Sequence, residues 1–142
     1  MRIADIIRKK GATVATLSAE STVQELITLL TDRGIGAVVV SEDGHNVSGI
    51  VSERDVVFGI STVGTDILSK PISSIMTADV HSASPTDDLE SVAALMTERR
   101  IRHMPVVVDD SLGGIVSIGD IVKHRIIELQ GERDQLVGYL QQ

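Results

Sequence analysis

The stretch Gly49–Val57 reads GIVSERDVV, and Gly114–Val122 reads GIVSIGDIV, 65 positions later with six of nine residues identical. A fixed-offset match of this kind marks one supersecondary unit used twice. Upstream, Val14 and Thr16 align with Val80 and Ser82 at an offset of 66. Leu26, Leu30, Arg33 and Ile35 likewise align with Val92, Met96, Arg99 and Ile101. One residue is therefore lost from the second copy in the turn between its two halves.

Each copy reads as the same series of elements. Val14–Leu17 and Val80–Ser82 are short strand candidates, each followed by a polar stretch suited to starting a helix. Val23, Leu26, Ile27 and Leu30 recur at helical spacing up to Gly34, a residue able to close a helix in the left-handed conformation. Leu89, Val92, Ala93 and Met96 repeat the pattern. Ala37–Val40 and Met104–Val108 are β-branched runs too short for helices, followed by the turn residues Asp43-Gly44 and Asp109-Asp110. The returning strands are expected at Val47–Val51 and Gly113–Val116, and each leads into a helix that opens at Ser52 or Ser117. The order is strand, helix, strand, strand, helix, twice.

Around these copies, Ile3–Lys10 and Pro71–Met76 read as entry helices, and STVGTDILSK at 61–70 reads as a linker. The last helix runs long, with Val122, Ile126, Leu129, Leu136 and Leu140 forming an apolar seam. Arg133 interrupts it, and Gly131 costs about 1 kcal/mol against Ala in a helix interior. The seam predicts a homodimer, with packing on the helix's own domain as the alternative.

Composition narrows the function. The net charge is −7, and Phe58 and Tyr139 are the only aromatic residues. The cationic footprint and stacking platforms of nucleic-acid binders are therefore missing. Cysteine is absent, which removes disulfides, thiolate metal sites and a thiol nucleophile and fits a reducing compartment. The opening MRIADIIRKKGATV alternates charge with apolar residues and lacks the apolar run of a signal peptide or membrane span. A cytoplasmic protein with no membrane partner is expected. An enzyme would need a catalytic constellation, but His45, His81, His103 and His124 lack metal-pair spacing and no HExxH or GxSxG segment occurs. No catalytic residue and no metal ligand is assigned.

Both GIVS segments place a hydroxyl at a strand-to-helix junction with a carboxylate three residues on: Ser52 with Asp55, and Ser117 with Asp120. One reading is purely structural, since Ser is a preferred N-cap and a first-turn acid complements the helix dipole. The other is functional. Free amides at a helix start attract phosphate, and an acid one turn in accepts hydrogen bonds from a ribose diol. Its occurrence in both copies favours the functional reading. Arg102 and His103 enter the strand beside the expected cleft, where guanidinium geometry suits phosphate. The copies are unequal, because Arg99, Arg100, Arg102 and His103 align with Arg33, Gly34, Gly36 and Ala37, while Arg54 aligns with Gly119.

The pattern Gly, two apolar residues, Ser or Thr, two variable residues, Asp resembles the nucleotide-contacting signature of CBS (cystathionine-β-synthase) domains. DRGIGAVVV, ERRIRHMPVVV and KPISSIMTADVHSASPTDDL look like the rest of that domain, so the resemblance covers roughly residues 3–125. It implies an α/β (α+β) fold: two β-α-β-β-α repeats packed with pseudo-twofold symmetry as a stand-alone tandem pair. The copies would span 1–60, with the entry helix, and 71–125, followed by a helical extension at 126–142. It further implies two clefts for an adenosine-containing ligand, AMP first, with ADP, ATP, NAD or S-adenosylmethionine as other members of the class, and no obligatory cofactor. By position, Asp55 and Asp120 would hold riboses and Ser52 and Ser117 would contact phosphates. Thr16 and Ser82, with Ile35, Gly36 and Ala37 and with Ile101, Arg102 and His103, would line adenine pockets. The family expects proline at Pro105, where the first copy has Val39. With no effector domain in the sequence, the implied output is an unidentified regulated protein; the alternative is a scaffold dimer that binds no ligand.

Overall fold

The computed structural model describes residues 1–141. The first copy contains β1 (Thr16–Leu17), α2 (Val23–Arg33), β2 (Ala37–Val40), β3 (Gly49–Ser52) and α3 (Glu53–Val63), after an entry helix α1 (Ile3–Lys10). The second contains α4 (Leu89–Arg99), β4 (His103–Val108), β5 (Ser111–Ser117) and a long α5 (Ile118–Leu140). β1 runs parallel to β2, and β2 and β3 form an antiparallel pair in the order β1-β2-β3. β4 and β5 form the matching antiparallel pair. This is the mixed α/β architecture, built twice, that the repeat predicts.

Local signals set the ends. Thr22 caps α2 by accepting the Glu25 N–H at 3.1 Å, and Asp88 caps α4 by accepting that of Ser91 at 3.1 Å. Gly34 closes α2 with φ 61°, whereas Arg100 closes α4 in the same left-handed conformation, φ 55°, without glycine's freedom. Asp109 and Asp110, with φ of 50° and 62°, make the two-residue turn between β4 and β5.

The expected strand at Val80–Ser82 does not form. Only Ala83 bridges to Val106, through Ala83 N–H to Pro105 O and Val107 N–H to Ala83 O, both 2.9 Å. Proline explains this. In the first copy the Val39 N–H donates to Ala15 O at 3.2 Å, and Pro105 holds the equivalent place without an N–H to give. Residues 61–70 also differ from a plain linker. Residues 61–63 complete α3, Thr65–Ser69 form a 3-10 turn, and Ile67 is buried in the core.

The entry segments are exchanged between copies. Ile3 and Ile6 of α1, both fully buried, belong to the core of the second copy with Ala83, Leu89, Met96 and Val116. Ile67 and Ile72 belong to the core of the first, with Val23, Leu26, Val38 and Val51. The backbone repeats the exchange bond for bond. Ile3 N–H donates to Asp87 O, Ala4 N–H to Pro85 O and Leu89 N–H to Met1 O, at 2.9–3.1 Å. Their counterparts are Ile72 N–H to Ser21 O, Ser73 N–H to Ala19 O and Val23 N–H to Lys70 O.

The glycine that heads each GIVS motif admits the exchanged segment. A Cβ on Gly114 would lie 2.6 Å from Ile7 Cδ1, and one on Gly49 would lie 2.9 Å from Met76 Sδ and from Thr77 O. Replacing Ile6 by Ala, which leaves a cavity where α1 meets the second copy, is expected to cost about 2–5 kcal/mol in chemical denaturation. Because α1 belongs to one copy and its site to the other, the loss should appear in a single shared unfolding transition.

Candidate functional site

Each GIVS junction closes a reciprocal cap. Ser52 N–H donates to Asp55 Oδ2 at 2.8 Å, and Asp55 N–H returns to Ser52 Oγ at 3.4 Å. Ser117 N–H donates to Asp120 Oδ2 at 2.9 Å, and Asp120 N–H returns to Ser117 Oγ at 3.1 Å. Both hydroxyls and both acids are thus held by their own turns. The first helical amides are used as well, Glu53 N–H by Gly36 O and Ile118 N–H by Arg102 O.

Two clefts open where the copies meet. The first, of about 400 Å³, is lined on the first-copy side by Ser52, Arg54 and Asp55, with Gly36, Ala37 and Ile50, and on the second-copy side by Arg100, Ile101, Arg102 and His103. Two guanidiniums and an imidazole thus line the side across from one motif carboxylate, with Arg54 on the carboxylate's own side. The second, of about 360 Å³, takes Ile115 and Ser117 from the second copy, Arg33 and Ile35 from the first, and Lys10 from the entry helix. Gly36, Ala37 and His103 line both and form the wall between them.

The expected residues therefore assemble across copies, not within them. Ile101 serves the cleft of the Ser52 motif, and Ile35 serves that of the Ser117 motif. Thr16 lies in β1 opposite Val39, Ser82 is exposed, Pro105 is buried in β4, and Asp120 is half-buried against Lys10; none lines either cleft. Arg99 is exposed and also outside both. Sequence reading missed Lys10, Thr77, Phe58 and Glu53. For Lys10 and Thr77 no local signal existed, because both arrive on exchanged entry segments.

Electrostatics separate the motif acids. Burial pushes the Asp120 carboxyl up, but Lys10 and the Ser117 N–H outweigh it and hold it below the ordinary carboxylate range. The Lys10 ammonium lies 2.6 Å from Asp120 Oδ2. Asp55 receives only the N–H and hydroxyl of Ser52. Burial lowers the His103 imidazole below its usual 6.5, and Lys10 reinforces this against the opposing pull of Glu53 and Asp120. A Cβ on Gly36 would lie 3.2 Å from His103 Cε1, so the missing side chain gives the ring its place in the wall.

The fold and this pair of inter-copy clefts define a duplicated α/β module. The CBS domain model matches residues 3–62 and 72–127, and the chain belongs to that family. A mitochondrial CBS domain-containing protein of Arabidopsis thaliana is 32% identical over 147 residues, covering 98% of this chain and 71% of that protein. The crystal structure of a CBS-domain containing protein from Agrobacterium tumefaciens matches with a TM-score of 0.85 at 34% identity, over 88% of this chain and 99% of that one. A CBS domain protein from Pyrobaculum aerophilum complexed with AMP matches with a TM-score of 0.79 at 25% identity, over 92% and 97%. Among the described residues no helix is long and apolar enough to cross a membrane, and no cluster of His, Asp and Glu is arranged to hold a metal.

The His103 shift has a sign that can be checked. With the folded value depressed, its contribution to stability is present above about 6.5 and is lost as the pH falls through the folded value, since the unfolded chain takes the proton first. Thermal melts from pH 8 to 5 should show stability falling below pH 6.5, and His103→Gln should flatten that part of the profile.

Proposed function

We propose that the chain is a regulatory module that binds an adenosine-containing ligand, AMP foremost, and passes its occupancy to a partner protein. The observation that carries this reading is the first cleft. There an acid that receives only its own turn's donors, Asp55, shares a cleft of about 400 Å³ with Arg54 of its own copy and with Arg100 and Arg102 of the other. That size falls within the range of about 300–1,000 Å³ for small-molecule sites. The diol of a ribose suits the acid and a phosphate suits the guanidiniums. In a protein of net charge −7, such a local cationic wall makes phosphate binding feasible. The AMP complex of the Pyrobaculum relative supports the ligand class. Regulation follows from differential affinity, since a ligand shifts only those equilibria whose states it binds unequally.

Calorimetry with AMP and adenosine tests the reading. Asp55→Ala should weaken both ligands about tenfold, the loss of a charge-assisted hydrogen bond of about 1.5–3 kcal/mol. Arg102→Ala should weaken AMP several-fold and leave adenosine nearly unchanged, because only AMP carries the phosphate. Absence of heat with every adenine ligand would leave the capping boxes as structural devices and favour a scaffold.

The functional unit in this reading is a homodimer in a reducing, cytoplasmic setting. Val122, Ile126, Leu129, Leu136 and Leu140, the five residues of the seam, are all at least 46% exposed. On α3, the counterpart of α5, Val57 and Phe58 are exposed as well. Apolar faces of this kind are association surfaces. Replacing both Ile126 and Leu136 by Glu should convert a sedimenting dimer to monomer without loss of helical circular dichroism.

A further inference from the structure

The two clefts are not equivalent, and the difference lies in one side chain from outside either motif. Lys10 is the last residue of α1. Its ammonium lies 2.6 Å from Asp120 Oδ2 and 3.0 Å from the carbonyl oxygen of Ile115. Both partners belong to the second GIVS motif. In the first copy the equivalent carbonyl, that of Ile50, is taken by the Thr77 N–H at 2.9 Å, and the Ile50 N–H donates to Thr77 O at 2.9 Å. The second entry segment thus satisfies its motif strand with backbone. The first satisfies it with a charged side chain that also reaches the acid.

The side chains of Lys10 and Asp120 are 35% and 23% exposed, so the pair is half-sheltered and its attraction is screened less than a surface contact would be. Lys10 lines the second cleft together with Arg33 and His103. Asp55 has no such partner: the donors to its carboxylate among the described residues are the N–H and hydroxyl of Ser52.

We infer that Lys10, which lines the second cleft where Asp120 does not, is an internal counter-ion that covers that motif acid, so that a ribose diol in the cleft reaches Asp120 only by displacing the end of α1. The inference rests on the ligand class argued above. It makes Lys10 the residue that sets the two affinities apart, with the first cleft filling first. It also makes the second cleft the one whose occupancy is felt outside the motif. A sugar that takes Asp120 releases Lys10, and with it the C-terminal turn of a helix anchored on the core of the second copy through Ile3 and Ile6. Filling the first cleft breaks no such contact.

Adenosine is the appropriate probe, because it offers the diol without a phosphate to attract Lys10. The full-length chain carrying Asp55→Ala, in which the first cleft is weakened, is titrated by calorimetry with and without Lys10→Met. Removing the ammonium should tighten adenosine about fivefold, the upper range of a partly exposed ion pair. Lys10→Arg in the same background should keep the weaker affinity. Unchanged or weaker adenosine binding in the Lys10→Met protein, with a melting profile that reports a folded chain, overturns the counter-ion role. If neither AMP nor adenosine binds the wild-type chain, the ligand reading falls and this one with it; if both clefts of the wild type bind adenosine equally, only this one falls.

Discussion

The constraint on which the rest depends is the close approach of each entry segment to the glycine that heads the other copy's returning strand. Gly114 has Ile7 of α1 against it, and Gly49 has Met76 and Thr77. No side chain can stand at either place without moving its neighbour. Because Ile3 and Ile6 complete the core of the second copy, while Ile67 and Ile72 complete that of the first, neither core is closed by one unbroken copy alone. Fully burying a large aliphatic side chain contributes about 1.5–3 kcal/mol, so these four residues are a large part of a stability that totals only about 5–15 kcal/mol. Folding one half therefore recruits the beginning of the other.

The same packing makes the clefts. Each is bounded by the motif of one copy and by the loop that follows the first long helix of the other, so cleft geometry depends on how the copies meet. Gly36, Ala37 and His103 sit at the meeting point and face both sides. One copy supplies small residues there and the other an imidazole and guanidiniums. Symmetry in the backbone thus carries asymmetry in charge.

Much of this was legible in the sequence. The offset between GIVSERDVV and GIVSIGDIV reveals the duplication. The 3.6-residue period and Gly34 set the bounds of α2, and the Ser–Asp spacing at 52/55 and 117/120 gives two capping boxes that are present. The failures share one physical cause: they depend on contacts between residues far apart in the chain. Val80–Ser82 reads as a strand by analogy with Val14–Leu17, yet the N–H that would pair it is missing because position 105 is proline. Residues 61–70 look polar, yet Ile67 is drawn into the core. Lys10 ends an amphipathic helix like any other lysine, and only the exchange of α1 brings it to Asp120.

The capping box and the ligand site are not competing explanations of the Ser–Asp pair. In the cap, Asp55 uses Oδ2 alone, accepting the Ser52 N–H and hydroxyl. A carboxylate has about four lone-pair sites, so a held acid still has acceptor capacity to offer. Fixing the carboxylate by its own turn reduces the conformational entropy that a ligand must otherwise remove, which is the general advantage of preorganisation. What separates the two acids is therefore not whether they cap, since both do, but what else reaches them. At Asp55 no cation forms an ion pair among the described residues, and the arginines of the cleft wall line the same space. At Asp120 the cation is already in contact, and its charge also helps hold the neighbouring His103 in the neutral form. One lysine thus sets the electrostatics of a cleft whose backbone follows the same plan as its twin.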